Sequence, residues 1–231
     1  MRRFFGVLRE DWPRLAIELI VLVAGITISF GLDEWRRDRE DRRVEHRTWE
    51  SIYEDLGTDS AYLTKRVAQL QGMTRSYDAL LATAPADSLD AYMDRAISYV
   101  SFPAAQGAYH ELQQMAGSRL IRNHALLADL SSCYNREYER AHEWDAINRD
   151  FILQRMIPYF DETVPYPDAV RGGETAEGLG KVYAGLNTHF QFRNLIHTNR
   201  LFKDAQRSVY QAALTRVIGL RAKVAEELKR K

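Results

Sequence analysis

The sequence predicts an all-α protein in which one N-terminal transmembrane helix continues into an extramembrane bundle of long antiparallel helices. Three observations carry that expectation. An unbroken apolar stretch, LAIELIVLVAGITISFGL, occupies 15–32. Beyond it, apolar residues recur at alternating three- and four-residue steps, the pattern of helices packed in a bundle or coiled coil. The two-residue alternation of a half-buried strand, a fixed-period repeat and a second apolar span are all missing.

Residues 1–14, MRRFFGVLREDWPR, form an N-terminal juxtamembrane segment that combines Phe4, Phe5, Leu8 and Trp12 with arginines, as suits a surface-lying piece. Asp11 is placed to cap the next helix, with Pro13 in its first turn. Residues 15–32 then rise about 27 Å as a helix, slightly short of a hydrocarbon core of roughly 30 Å. Trp12 and Trp35 bracket the run as interfacial anchors, and Arg14 and Arg36 snorkel outward. No small-residue cleavage site comes after Ser29-Phe30-Gly31-Leu32, which argues against a removed signal peptide. Glu18, Gly25, Ser29 and Arg36 share one helical meridian, a polar and small-residue face for close approach of another helix.

Residues 33–48 read as a charged helical stalk, with Arg36–Glu40, Arg37–Asp41 and Asp38–Arg42 as i,i+4 pairs. The bundle domain spans 49–231. Its first stripe is Trp49, Ile52, Leu56, Leu63, Val67, Leu70, Tyr77 and Leu81, with Ser60 and Thr74 at the missing steps. No proline lies between Pro13 and Pro85, so one helix is expected from the membrane to about Ala82, bending at Gly57 and Gly72. A shorter helix capped by Asp87 or Ser88 carries Leu89, Tyr92, Met93, Ile97 and Val100 up to Pro103. Another carries Tyr109, Leu112 and Met115 and stops at Gly117. Asn123 caps a long helix with Leu127, Leu130, Tyr134, Tyr138, Ala141, Trp144, Ile147 and Phe151 inward, ending at Pro158. A proline- and glycine-bearing loop covers about 161–187. The last helix, from about Thr188 to Arg230, places Leu195, Phe202, Val209, Ala213, Leu220, Val224 and Leu228 inward.

Glu18-x6-Gly25-Ile26-x-Ile28 with Asp33-Glu34-Trp35 after it resembles the opening of an uncharacterised bacterial family of single-pass membrane proteins, a domain of unknown function. Its members begin E-I-x-x-V-x-x-G-I-x-I-A-x-x-x-N-x-W ahead of a helical extramembrane region. Tyr109-x2-Leu112, Ile121-x-Asn123 and Tyr134 are similar to the family's second recurring stretch. Asp33 stands where asparagine is usual and Ser29 where alanine is, and Gly117 is displaced relative to its neighbours. The resemblance implies a membrane location and this architecture, and brings no activity with it.

The chemistry is sparse. Lys+Arg and Asp+Glu both number 32, so the basic excess of a nucleic-acid binder is missing. Glu139-Arg-Ala-His142 is one half of a di-iron helical pair, but no second Glu-x-x-His accompanies it, leaving Glu139 and His142 as weak metal candidates. Gly172-Gly173 and Gly178-x-Gly180-Lys181 lack the rest of a phosphate loop, and no G-x-S-x-G elbow occurs. The single cysteine, Cys133, has no partner for a disulfide. No catalytic residue or cofactor is implied.

The expected function is therefore non-enzymatic: an anchored bundle that binds or scaffolds another membrane component as an accessory or assembly subunit, through a protein partner or a second copy. The alternatives are a ligand-sensing or ligand-carrying bundle with the 161–187 loop as a lid, and an unrecognised metalloenzyme. Four arginines precede the anchor and six come soon after it, which taken literally favours a cytoplasmic bundle. A basic N-terminus before a first anchor, which the resembling family shares, favours instead an N-in topology in the cell inner membrane with the bundle on the periplasmic or outer side.

Overall fold

A computed structural model describes the backbone of residues 2–82, 89–115, 121–163 and 184–230, and the side chains of these except at 2–15, 89 and 90. All its regular structure is helical among the described residues. Among the described residues the chain makes four passes. The first is α1 (Arg2–Leu81) and the second joins α2 (Leu89–Ile97), an extended stretch at 98–106 and α3 (Gly107–Met115). In the third, α4 (His124–Ser132), α5 (Glu139–Phe151) and α6 (Ile157–Thr163) are linked without a break by π-helical turns at Cys133–Tyr138 and Ile152–Met156. The fourth pass is α7 (Phe190–Lys229). Contacts pairing Tyr77 with Ala96 and Asp55 with Ala108 run the second pass antiparallel to α1. Asp59 with Tyr138 and Glu45 with Arg122 run the third parallel to α1, and Asn199 with Tyr77 brings α7 back down. The bundle is thus up-down-up-down with a second member broken in the middle.

The apolar N-terminal helix and the stalk are one element. α1 runs from Arg2 through Asp11 and Pro13 without a break, so Asp11 lies within the helix and not at its start. From Ile17 to Arg37 every residue is exposed. An 18-residue window there has mean hydropathy 1.9 and none of it is buried, so it is long and apolar enough to cross a membrane and no described part of the bundle covers it. Of the three expected stalk pairs only Asp38–Arg42 forms, at 2.7 Å; Arg37 turns back to Asp33 instead. Both observed pairs put the acid N-terminal to the base, the orientation that complements the helix dipole.

Gly57 and Gly72 do not interrupt α1. Gly57 leaves room for Arg221, whose guanidinium lies 3.1 Å from where a Cβ would stand and covers the Tyr53 ring at 4.3 Å. The α1 stripe is carried by Asp59 and Met73 where Ser60 and Thr74 were expected to fill the steps, although Thr74 is itself buried beside Met73. Asn123 caps α4 as expected, its side-chain oxygen accepting from the Leu126 N–H at 3.0 Å. Pro158 does not end the third pass, because the π turn at Ile152–Met156 lies just before it and the helix resumes to Thr163. A wider turn there loosens the backbone that a proline ring would otherwise strike.

The π turns also set the rotation of the helices after them. Buried positions Leu126, Leu130, Tyr134 and Tyr138 are four apart, as are Asn148, Ile152 and Met156. Repeated steps of four drift around a 3.6-residue helix, and the wider turns cancel the drift. Downstream, the inward residues are Asp145, Asn148 and Ile152, each one position beyond the expected Trp144, Ile147 and Phe151. Ile147 is 45 % exposed, and Trp144 and Phe151 are half-buried against Phe202. In α7, Leu195, Ala213, Leu220 and Val224 are buried as expected, whereas Leu228 is only half-buried. The inward stripe of this helix is Phe192, Ile196, Asn199, Lys203, Gln206, Tyr210, Ala213, Val217, Leu220 and Val224, strictly alternating steps of three and four, with Phe202 and Val209 half-buried beside it.

Candidate functional site

The side chains singled out by sequence do not gather in one place. Gly25 and Ser29 lie exposed on the apolar part of α1 with Glu18 on the same helix, and a Cβ added at Gly25 would meet nothing within 4 Å. Trp35 is exposed at the end of that segment, with the Arg39 guanidinium 5.6 Å over its ring. The Trp12 side chain lies outside the described residues, as do the expected Asp87 or Ser88 cap, Gly117 and positions 164–183 of the long loop. Glu139 is exposed, whereas His142 is half-buried and stacks on Phe102 at 6.1 Å. No three His, Cys, Asp or Glu side chains converge as a metal site among the described residues. Cys133 is buried, and burial pushes its thiol up to about 12, which keeps it protonated and unreactive at neutral pH.

What the fold does gather is a buried polar layer that no apolar pattern announces. Its cause is the extended stretch Ser98 to Gln106. Pro103 lacks an N–H and drives Phe102 out of helical geometry, so this part of the second pass has no helical ladder of its own, although the Ala104 N–H reaches the Phe102 carbonyl at 3.2 Å. A backbone buried without partners is costly, and the neighbouring helices supply them from core positions. On α7, Asn199 donates to the Ala96 carbonyl at 2.8 Å, Lys203 to Ser98 at 3.0 Å and Gln206 to Val100 at 2.9 Å. On α1, Tyr62 donates to the Ser101 carbonyl at 3.0 Å and Asp59 accepts from the Ala105 N–H at 3.0 Å. From the third pass, Asp145 accepts from the Phe102 N–H at 2.7 Å and Tyr134 donates to the Ala105 carbonyl at 3.1 Å.

These groups also bind one another. The Lys203 ammonium reaches Asn148 at 2.6 Å, Asn148 donates to Asn199 at 2.9 Å, and Asn199 donates to the Tyr77 hydroxyl at 3.0 Å. Asp145 takes Gln206 at 2.7 Å and the Tyr210 hydroxyl at 2.6 Å on one oxygen, while Tyr138 donates to Asp59 at 2.6 Å. Phe102 sits at the centre, edge-on to Tyr138 at 4.9 Å and flanked by Tyr210 and Tyr62. Burial lowers Lys203 to about 7, against the opposing pull of Asp145. Burial likewise raises Asp59 to about 6, although both of its donors favour the carboxylate. Lys203 has no exposed surface and its ammonium is engaged by Ser98 and Asn148. A lysine of lowered pKa in an open cleft suggests a nucleophile; enclosed like this, it is a strut.

Asp59, Asp145, Asn148, Asn199, Lys203 and Gln206 escape a reading that looks for apolar stripes. The signal that finds the last three is the strict three-four spacing of 192–224 in α7, which passes straight through Asn199, Lys203 and Gln206. The residues that carry the resemblance to the second family stretch acquire roles here as well. Tyr109 stacks flat on Tyr134, centroids 4.1 Å apart, and Asn123 ties the α4 cap to Glu227 of α7 at 2.6 Å. Compared with known proteins, the chain matches no family model, no curated protein and no solved structure.

Proposed function

We propose that the chain is a non-enzymatic, single-pass membrane protein whose helical bundle binds or scaffolds another membrane component, as an accessory or assembly subunit. The observation that carries this reading is the uncovered apolar segment of α1, fused without a break to a bundle whose buried polar groups are engaged in holding its own backbone. A free-standing soluble protein does not leave such a segment in water. The bilayer covers most of it, and the Glu18, Gly25, Ser29 face takes a partner helix or a second copy. The membrane is the cell inner membrane, with the N-terminus inside and the bundle on the periplasmic or outer side.

The composition and mass of the particle purified in mild detergent from native membranes test the reading. A defined complex with other membrane proteins supports an accessory subunit; particles of this chain alone count against that role, a multimer leaving the face to a second copy and a monomer removing both occupants. Gly25→Leu tests the face. The added side chain meets nothing in the fold, so the bundle melts unchanged while partner retention falls; undiminished retention removes that face as the contact.

A further inference from the structure

One face of α1 passes unbroken from the apolar segment into the charged one. Gly25, Ser29, Arg36, Arg39, Arg43 and Arg47 follow at steps of four, seven, three, four and four, which keeps them on one side of the helix, and all are exposed. Glu45, Thr48 and Ile52, on the opposite side, are buried in the bundle. A helix laid on Gly25 and Ser29 is therefore led onto a ridge of four arginines. The last three of these form one wall of a cleft of about 1040 Å³, with Arg122, Glu227 and Arg230 across from them. The acids nearby are already engaged. Glu45 accepts from the Arg122 backbone N–H at 2.8 Å, Glu227 is shared by Asn123 and Arg230, and Glu50 faces His46 at 3.5 Å. Glu40 lies 3.5 Å from Arg43, whereas Arg36, Arg39 and Arg47 make no ion pair among the described residues. Trp49 also lines the cleft, and its buried indole N–H has no acceptor among the described residues.

Length, alignment and charge choose the occupant. The α1 wall of the cleft, Arg39 to Glu50, lies about 10 to 27 Å along the helix beyond Leu32, outside an interfacial layer roughly 5–7 Å deep, so lipid headgroups stop short of it. An occupant that runs along α1 for that length, in line with Gly25 and Ser29, is the continuation of a helix packed there. A second copy of this chain does not fit. Packed in parallel through this face, it would set the four arginines against their own equivalents, since an isologous contact pairs a patch with itself and like charges so placed repel. Carboxylates on a different chain meet guanidinium forks that bind them through two N–H groups at once. We propose that the arginine ridge and its cleft seat an acidic helical segment that directly follows the transmembrane helix of a different protein. The proposal deepens the partner-helix reading above and rests on it.

The probe is a fluorescent, soluble, alanine-based helical peptide with glutamates at steps of three, four and four. The full chain in nonionic detergent is titrated with it at fixed ionic strength, and with a peptide of the same composition whose glutamates are spread around the helix. The expected result is saturable anisotropy with the first peptide and roughly tenfold or weaker binding of the second. The triple variant Arg39→Gln, Arg43→Gln, Arg47→Gln, whose side chains are exposed and which should melt as the parent does, should also lose roughly tenfold or more. Arg136→Gln with Arg140→Gln, exposed on the third pass, should bind as the parent does, and so should Gly25→Leu, which the soluble peptide does not touch. No saturable binding, equal binding of the two peptides, or an equal loss from the Arg136 and Arg140 pair would overturn the site. Displacement by inorganic phosphate as effective as by unlabelled peptide would make it a small-anion site and overturn the acidic helix as its occupant. The native particle separates the two readings. A particle with no other protein fails the partner-helix reading even where the peptide binds, and a partner retained equally by the triple variant overturns the ridge as its contact.

Discussion

Two buried ionisable residues give the bundle opposite responses to pH. Lys203 is held near 7 when folded against 10.5 in the open chain, so between those values folding releases a proton and stability rises with pH. Asp59 stands near 6 when folded against 3.8, so folding takes up a proton between those values, and its contribution, complete below 3.8, is lost as pH rises through 6. Together they place a stability minimum between about pH 6 and 7, with a gain of roughly a few kcal/mol on the alkaline side. Denaturant midpoints of Lys203→Met should lack the alkaline rise, and those of Asp59→Asn the acid fall; parent-like profiles in both variants would remove these residues as the cause. Phe102 is the apolar counterpart. Its ring fills the space among three tyrosines, and Phe102→Ala should cost about 3–5 kcal/mol in denaturant unfolding.

At the level of elements, the two glycines of α1 separate helix propensity from packing. A Cβ at Gly72 meets nothing, so Gly72→Ala should stabilise by about 0.5–1 kcal/mol. At Gly57 the same change presses on the Arg221 guanidinium over Tyr53. That displacement offsets the propensity gain, and thermal melts should show the smaller effect at Gly57. The third pass was legible as far as Ala141 and not beyond. Leu130, Tyr134, Tyr138 and Ala141 are inward as spacing suggests, but from Ala141 the buried face steps four residues to Asp145. The expected repeat of three-residue steps to Trp144 and Ile147 drifts off one face of a 3.6-residue helix.

For the molecule as a whole, the separation of anchor and bundle is itself testable. Every residue from Ile17 to Arg37 is exposed, and the core begins near Glu45 and Thr48. A chain starting at Asp33 should therefore fold to the same bundle and stay soluble without detergent, whereas the full chain should require it. Far-ultraviolet circular dichroism and gel filtration check this. Aggregation of the shortened chain would mean that the anchor contributes to the bundle's fold. The charged end where Arg122 and Glu227 meet α1 joins the two parts, because the third pass begins and the fourth ends there.

Sequence alone determined the helical class, the apolar segment and the Asn123 cap, since each depends on neighbours within a few residues along the chain. Tertiary structure decided the rest. Glu139 and His142 had the spacing of a ligand pair, yet His142 stacks on Phe102 while Glu139 faces solvent. Asn199, Lys203 and Gln206 had the residue types of a surface, yet they are the interior of α7. The reason lies some hundred residues away, in an extended stretch around Phe102 whose backbone needs donors and acceptors that only the facing helices supply.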